Sequence, residues 1–540
     1  MRVNRTIIVA SGAYLDPQLE VEFGRIPPSF LPLGGLRLFQ HQHQLLSHLN
    51  ARLILSLPED FVLSEQDAQK LDELGLELLR VPPGLSLGAS IVYIINLAAC
   101  AGGPVSILHG DTLFEGIDLN VFDIVSTGKF QIGYEWGLVY EIDGVLVCNP
   151  SLNQISNDEP TILTGWFSFS DGFSLVQAIT KTGGSFIQGV LTYAQKYQLK
   201  TSRPTEWFDF GHADTYYQSR RRITTQRSFN ELEISKRSVT KRSHNSNKIS
   251  AEAVWFEKLP TKLKIFTPAL LNHEKLDHQA SYSLEYLHLP TLSELFVFGR
   301  LSVGAWAKIF NAADEVLIGL AECSPMVQSI ENINNIYAVK TLDRLDQYSR
   351  VSGLDLNAPC RFNGSWLPSI NHIVSMVGDL IPPATSKYLG LIHGDFCFSN
   401  LLYDHRADLL KIIDPRGIDS AGIQTQIGDR RYDIAKMYHS VIGRYDHIIA
   451  GHYKLSINSF LDMTLYLPSE RNLLDIESEF TQYCFTSLSM NDVSAHAICI
   501  LLFLSMLPLH SDRPDRQNAF LANSMRLFLM LDNSSSRKAL

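Results

Sequence analysis

Apolar residues near the start of the chain recur in two alternating patterns. Short runs at Thr6–Ala10, Arg52–Ser56 and Val105–His109 read as strands, while Phe39–Leu49 and Ser64–Leu74 carry their apolar residues at helical spacing. This alternation predicts an α/β unit built on a doubly wound, parallel sheet, whose ligands gather beyond the carboxyl ends of the strands. Val105–Asp111 ends such a strand with an acid. Tyr216–Arg227 reads as a helix running into a linker, and the segment from Arg227 to Glu233 as the start of a new set of strands. Later in the chain, Ser238–Lys241 is the end of a strand, Ile249–Phe256 the opening of a helix and Leu409–Ile413 a short buried strand. The longest apolar run, Ala497–Leu507, stops before Pro508 and is too short to span a bilayer, so it predicts a core helix.

The chemistry concentrates around that buried strand. The segment Leu391-Ile-His-Gly-Asp-Phe-Cys-Phe-Ser-Asn400 precedes it, and Asp414-Pro-Arg416 follows it. Phosphoryl transfer needs a carboxylate to receive the acceptor's hydroxyl proton and oxygen ligands to hold magnesium against the nucleotide phosphates. Asp395 fits the base. Asn400, after four intervening residues as in a protein-kinase catalytic loop, fits a metal ligand, and Asp414 fits the second, delivered from the end of a rigid strand. Either motif alone is an ordinary turn sequence; in order, with a strand between them, they point to a kinase site.

Such a site also needs a strand lysine for the phosphates and a helical glutamate to orient it. Lys241 and Glu252 are the expected pair. Lys248 competes for the lysine role, but four residues before Glu252 it reads as a solvated charge at a helix start. Tyr282-Ser-Leu-Glu285 fits a hinge that holds adenine. Asp433, in Arg431-Tyr-Asp-Ile-Ala-Lys436, fits either a site residue or an acid favoured at a helix N-terminus.

Composition narrows the setting. A chain of 540 residues exceeds one core and implies two or three domains. With 45% hydrophobic and 19% charged residues it is an ordinary globular protein, and a net charge of -10 argues against a nucleic-acid partner. The basic cluster Arg220–Lys248 reads as linker and phosphate-facing surface. Seven cysteines without metal-type spacing imply neither a disulfide framework nor a zinc site, which suits a reducing cytoplasm. Cys397 reads as a small packing residue.

The His-Gly-Asp, Asn and Asp-Pro-Arg pattern resembles the aminoglycoside phosphotransferase and choline kinase-like family. The resemblance implies a bilobal, protein-kinase-like α+β domain over 223–540, with an N-lobe near 223–290 and a helical C-lobe near 291–540. It also implies ATP and magnesium as cofactors and a sugar, polyol or amino alcohol as acceptor. A protein kinase is the alternative, against which stand the His-Gly-Asp and Asp-Pro-Arg forms and the lack of an activation segment.

Residues 1–222 resemble the sugar-phosphate nucleotidyltransferases. The similarity rests on Phe30-Leu-Pro-Leu-Gly-Gly-Leu-Arg-Leu-Phe39, Gly110-Asp111, Thr164-Gly-Trp-Phe-Ser-Phe-Ser170 and Trp207-Phe-Asp209-Phe-Gly211. It implies Asp111 and Asp209 as ligands of one magnesium ion and an NTP such as CTP or UTP as substrate. Two departures stand beside it. The family's Gly-x-Gly-Thr-Arg loop is replaced by Ser11-Gly-Ala-Tyr-Leu-Asp16, and its Pro-Lys by Pro28-Ser29, leaving Arg25 or Arg37 to supply the lost charge. Two readings follow: a bifunctional enzyme making activated precursors for a surface polysaccharide, or a kinase with a degenerate, nucleotide-sugar-binding regulatory domain.

Overall fold

The β-branched and leucine-rich runs of the early chain become neighbouring strands of one sheet. A computed structural model describes residues 5–129, 137–142, 144–147, 161–223, 231–276, 279–326, 337–419, 421–459, 461–483, 485 and 493–538. The chain divides into two units, Met1–Thr224 with Phe298–Arg300, and Thr225–Val297 with Leu301–Leu540.

In the first unit the main sheet runs in the order Glu77–Val81, Ala51–Pro58, Arg5–Ala10, Val105–His109, Thr161–Phe169, Ile124–Lys129, Lys200–Ser202, Val145–Val147, Leu138–Ile142. The first four strands are parallel, with Ile8 paired to both Ile54 and Ile107. Helices Leu38–Leu46, Glu65–Glu73 and Leu87–Leu97 supply the crossovers that parallel pairing requires. Ser64 fixes the start of the second, its hydroxyl accepting the Asp67 N–H. The doubly wound parallel pattern covers only this half of the sheet. From Thr161–Phe169 onward the pairing is mostly antiparallel, although Lys200–Ser202, reached from Thr161–Phe169 through helices Gly172–Lys181 and Phe186–Ala194, lies parallel to Ile124–Lys129. Ile8, Ile54, Val81, Ile91, Ile95, Ile107 and Phe167 share one buried cluster.

The second unit opens with a four-stranded antiparallel sheet in the order Glu231–Ile234, Ser238–Ser243, Gln279–Glu285, Leu270–Leu276. The stretch Arg227–Asn230, where the sequence starts these strands, lies outside the described residues. Helix Ser246–Lys258 packs on this sheet with Ile249, Ala253 and Phe256 buried, while Trp255 donates to the Ile392 carbonyl. A largely helical part follows, including Val303–Glu322, Ala338–Ser352, Arg431–Val441, Val493–Ser505 and Pro514–Lys538. The Ala497–Leu507 run forms Val493–Ser505, apolar on every side and buried, as a helix enclosed by others must be. Among the described residues no helix is long and apolar enough to cross a membrane.

Candidate active site

Two strands and a hairpin hold the catalytic-type loop. Leu389–Leu391 pairs with Ile427–Asp429 on one side, and Leu401–Asp404 pairs with Leu409–Ile412 on the other, leaving His393–Asn400 as the connection. Asp433 anchors this connection. Its two carboxylate oxygens accept the N–H groups of His393 and Gly394, each at 2.8 Å. Gly394 has φ +78°, and a Cβ there would lie 2.8 Å from Cβ of Arg416, so only glycine fits. The N–H of Arg416 donates to the His393 carbonyl at 2.9 Å, tying Asp-Pro-Arg to the loop. Buried His393 donates from Nε2 to Ile413 O and accepts the Asp395 N–H at Nδ1. Burial drives its imidazole down to about 4, so it is a neutral strut and not a proton carrier at neutral pH.

The proposed base lies against two partners. Asn400 Nδ2 donates to Asp395 Oδ2 at 3.0 Å and to its carbonyl at 2.9 Å, and Lys436 Nζ lies 2.8 Å from Oδ1. Burial alone would raise this carboxyl, but Lys436 and the Asn400 bond outweigh it and hold it at about 2. Lys436 is a residue that the motif reading quoted without assigning a role. Its signal was its place three residues after Asp433, a little under one helical turn. Removing it by Lys436→Met should lower turnover and shift the acid limb of the kcat/KM profile upward, because the strongest influence opposing burial at Asp395 is then lost. The wild-type carboxyl, ionised well below neutrality, should show no such limb near neutral pH. Identical profiles in the two proteins would contradict this.

Opposite the loop, Lys241 Nζ lies 2.6 Å from Glu252 Oε2 and 3.2 Å from Asp414 Oδ1. The approach of the helix to Asp414 depends on Gly417, whose φ is +66° and whose Cβ would sit 2.5 Å from the Ala251 carbonyl. Asp414 itself has φ +55°, a left-handed conformation that aspartate tolerates. Tyr282 adds a 2.9 Å bond to Glu252. Lys248 is half-exposed and 3.9 Å from Glu252 Oε1. Lys241→Met should therefore cut kcat by about 10²-fold through misplaced phosphates, and Lys248→Met should change it little. Steady-state kinetics with ATP check the ranking, and the reverse order would transfer the role to Lys248. Glu285 ends its strand with an exposed side chain, and its N–H donates to the Ala269 carbonyl. Cys397 is buried beside Asp395 and its thiol is pushed up to about 12 by burial and that carboxylate, which removes it as a nucleophile at neutral pH.

In the first unit, Asp111 and Asp209 come together across the antiparallel pair Thr112–Glu115 and Glu206–Asp209. The Phe210 N–H donates to the Asp111 carbonyl, and a Cβ on Gly211 would lie 2.8 Å from Asp111 Oδ2 and 3.5 Å from Asp209 Oδ1. Burial, followed by the charge of Asp111, raises the Asp209 carboxyl to about 7. Its Oδ2 is buried without a hydrogen-bond partner among the described residues. Two facing acids with an orphaned oxygen fit a divalent cation. In the second unit, Asn400, hydrogen-bonded to Asp395, and Asp414, against Lys241, carry oxygen donors of the hard type that suit magnesium.

Two of the residues that stand in for the family's phosphate-binding groups are engaged inside the fold. Ser29 is fully buried: its hydroxyl donates to the Gly110 carbonyl and its N–H donates to Ser11 Oγ. Arg37 cannot supply the missing charge, because it forms a buried, bidentate pair with Asp67 at 2.9 Å on both arms. Arg25 is exposed, 3.1 Å from Asp60 and stacked 3.9 Å from the Tyr14 ring centroid, so it does border the loop.

No family model and no curated protein matches the chain. Among solved structures it is similar to a thermostable mutant of an aminoglycoside phosphotransferase in the apo form, at 10% identity over 57% of this chain and 92% of that one, TM-score 0.37. It is also similar to the inositol-1-phosphate CTP transferase from T. maritima, at 16% identity over 41% of this chain and 97% of that one, TM-score 0.31. A third is a putative glucose-1-phosphate thymidylyltransferase from Bacillus anthracis in complex with a sucrose, at 13% identity over 40% and 94%, TM-score 0.32.

Proposed function

We propose that the second unit phosphorylates a hydroxyl group of a small molecule with ATP, and that the first transfers a nucleotidyl group to the phosphorylated product. The observation that carries the kinase reading is Lys241 reaching both Glu252 and Asp414, with Asp395 and Asn400 hydrogen-bonded on the adjoining loop. Lys241 orients the nucleotide phosphates and Glu252 holds Lys241. Asp395 orients the acceptor hydroxyl and takes its proton late, which suits a carboxylate held at about 2. Bound magnesium, held by Asn400 and Asp414 in one unit and by Asp111 and Asp209 in the other, neutralises charge on the phosphates.

Buried Ser29 and the occupied Arg37 favour a second reading of the first unit, as a nucleotide-sugar-binding regulatory module. The intact acid pair favours activity. We assign the bifunctional form to the cytoplasm and to precursor supply for a surface polysaccharide, a placement resting on the resemblance of the paired domains. Incubating the full-length protein with ATP and a panel of sugars, polyols and amino alcohols, then with each NTP, tests both. ADP release reads the kinase. Pyrophosphate release separates the two readings of the first unit.

A further inference from the structure

Helix Ala338–Ser352 begins at Tyr337 and carries Lys340 and Arg344 at the three- and four-residue steps that define one helix face. Tyr337 packs on Tyr432, at the start of Arg431–Val441, with ring centroids 6.4 Å apart. The Tyr432 ring is also flanked by the Arg416 guanidinium and the Lys436 ammonium, each 6.0 Å from its centroid. Arg416, Arg344 and Lys436 all act on Lys340, so four cations gather around Tyr432, and one of them, Lys436, contacts Asp395.

Lys436 is neutralised by Asp395 at 2.8 Å. Arg344 is steadied by donating to the Ser505 carbonyl at 2.9 Å, which satisfies a hydrogen bond but not a charge. Lys340, Arg344 and Arg416 form no ion pair with a carboxylate among the described residues, and all three are half-buried. Burial, followed by Arg416, Arg344 and Lys436, drives the Lys340 ammonium down to about 7. Gathering half-buried like charges is costly unless an anion joins them. The lysine suited to ATP is a separate group: Lys241 answers to Asp414 and Glu252, and it shares no charged neighbour with Lys340.

Resting on the kinase reading, we propose that the acceptor is an anion, whose carboxylate or phosphate lies against Lys340, Arg344 and Arg416 while its hydroxyl meets Asp395. A cationic amino alcohol or aminoglycoside would be repelled by the same residues. The acceptor class narrows to hydroxy acids, such as sugar acids, and to monophosphate esters of sugars or polyols. For an ester, the kinase product would carry two phosphate groups.

Equilibrium binding to the full-length protein saturated with magnesium ADP tests this, using glucuronate, glucose 6-phosphate, glucose and glucosamine as probes. At least one anionic probe should bind about tenfold or more tightly than glucose, with glucosamine weakest. Which anion binds separates a carboxylate site from a phosphate site. In Lys340→Met and Arg344→Met the advantage of the anion over glucose should disappear while ADP affinity stays as in wild type. Equal binding of all four probes, binding of none, or a loss confined to ADP would each overturn the anion site. Turnover is read separately: anion binding that the variants abolish, with no ADP formed from ATP by any acceptor in the wider panel, would leave the anion site standing and sink the kinase reading.

Discussion

Asp395→Asn is expected to leave the protein folded while lowering ATP-dependent phosphorylation by about 10²–10⁴-fold, the usual loss on removing a positioned proton acceptor. Asparagine is a cleaner probe than alanine. Asp395→Ala would leave the largely buried Lys436 ammonium without its partner, so lost activity would be mixed with lost stability. The amide keeps an oxygen toward Lys436 and cannot take a proton. Asp414→Asn should lower activity similarly and weaken the dependence on magnesium, because a neutral amide is a poorer ligand for a hard cation. Thermal denaturation alongside ADP release makes the distinction. Wild-type turnover in a folded Asp395→Asn protein would show that another group takes the proton and that the loop assignment is wrong.

The parts of this site that were legible in the sequence are those fixed over short stretches of chain. His393-Gly-Asp395, Asn400 and Asp414 are separated by one loop and one hairpin, so their spacing carries their geometry. Strands such as Val105–His109 and helices such as Glu65–Glu73 declare themselves through apolar period and a serine cap. What was not legible depends on contacts between distant segments. Lys436 meets Asp395 only because the helix bearing it is held to the loop by Asp433. Lys340 and Arg344 resemble the many solvated lysines and arginines of helix surfaces until Tyr337 packs on Tyr432. Arg37 illustrates the opposite error: by sequence it is a candidate to replace the lost positive charge, whereas Asp67, thirty residues on, engages both of its arms. The antiparallel half of the first sheet was missed because its pairings join strands far apart in the chain, such as Val105–His109 with Thr161–Phe169, which local apolar period does not reveal.

Asp209→Asn and Asp111→Asn are expected to stop pyrophosphate release from the first unit while leaving ATP-dependent phosphorylation unchanged, since each acid would serve only that unit's magnesium. The two variants also carry a signature independent of turnover. Asp209 has its carboxyl raised from 3.8 to about 7 by burial and by Asp111. A raised carboxyl favours the folded state below its unfolded value, and that stability is lost as pH rises through the folded value. Without a divalent ion, wild-type protein should therefore lose stability between these limits. Asp209→Asn should flatten that dependence and melt at a higher temperature above neutrality. Magnesium should restore wild-type stability above neutrality, where Asp209 is ionised, and should do little for Asp209→Asn, which has lost one of the paired carboxylates. Magnesium stabilising both proteins equally would remove the acid pair as its site. A wild-type protein that phosphorylates an acceptor, is stabilised by magnesium through Asp209, and yet releases no pyrophosphate with any NTP would assign the first unit to binding rather than transfer. The replaced phosphate loop, with Ser29 turned inward and Arg37 held by Asp67, would then be the physical reason.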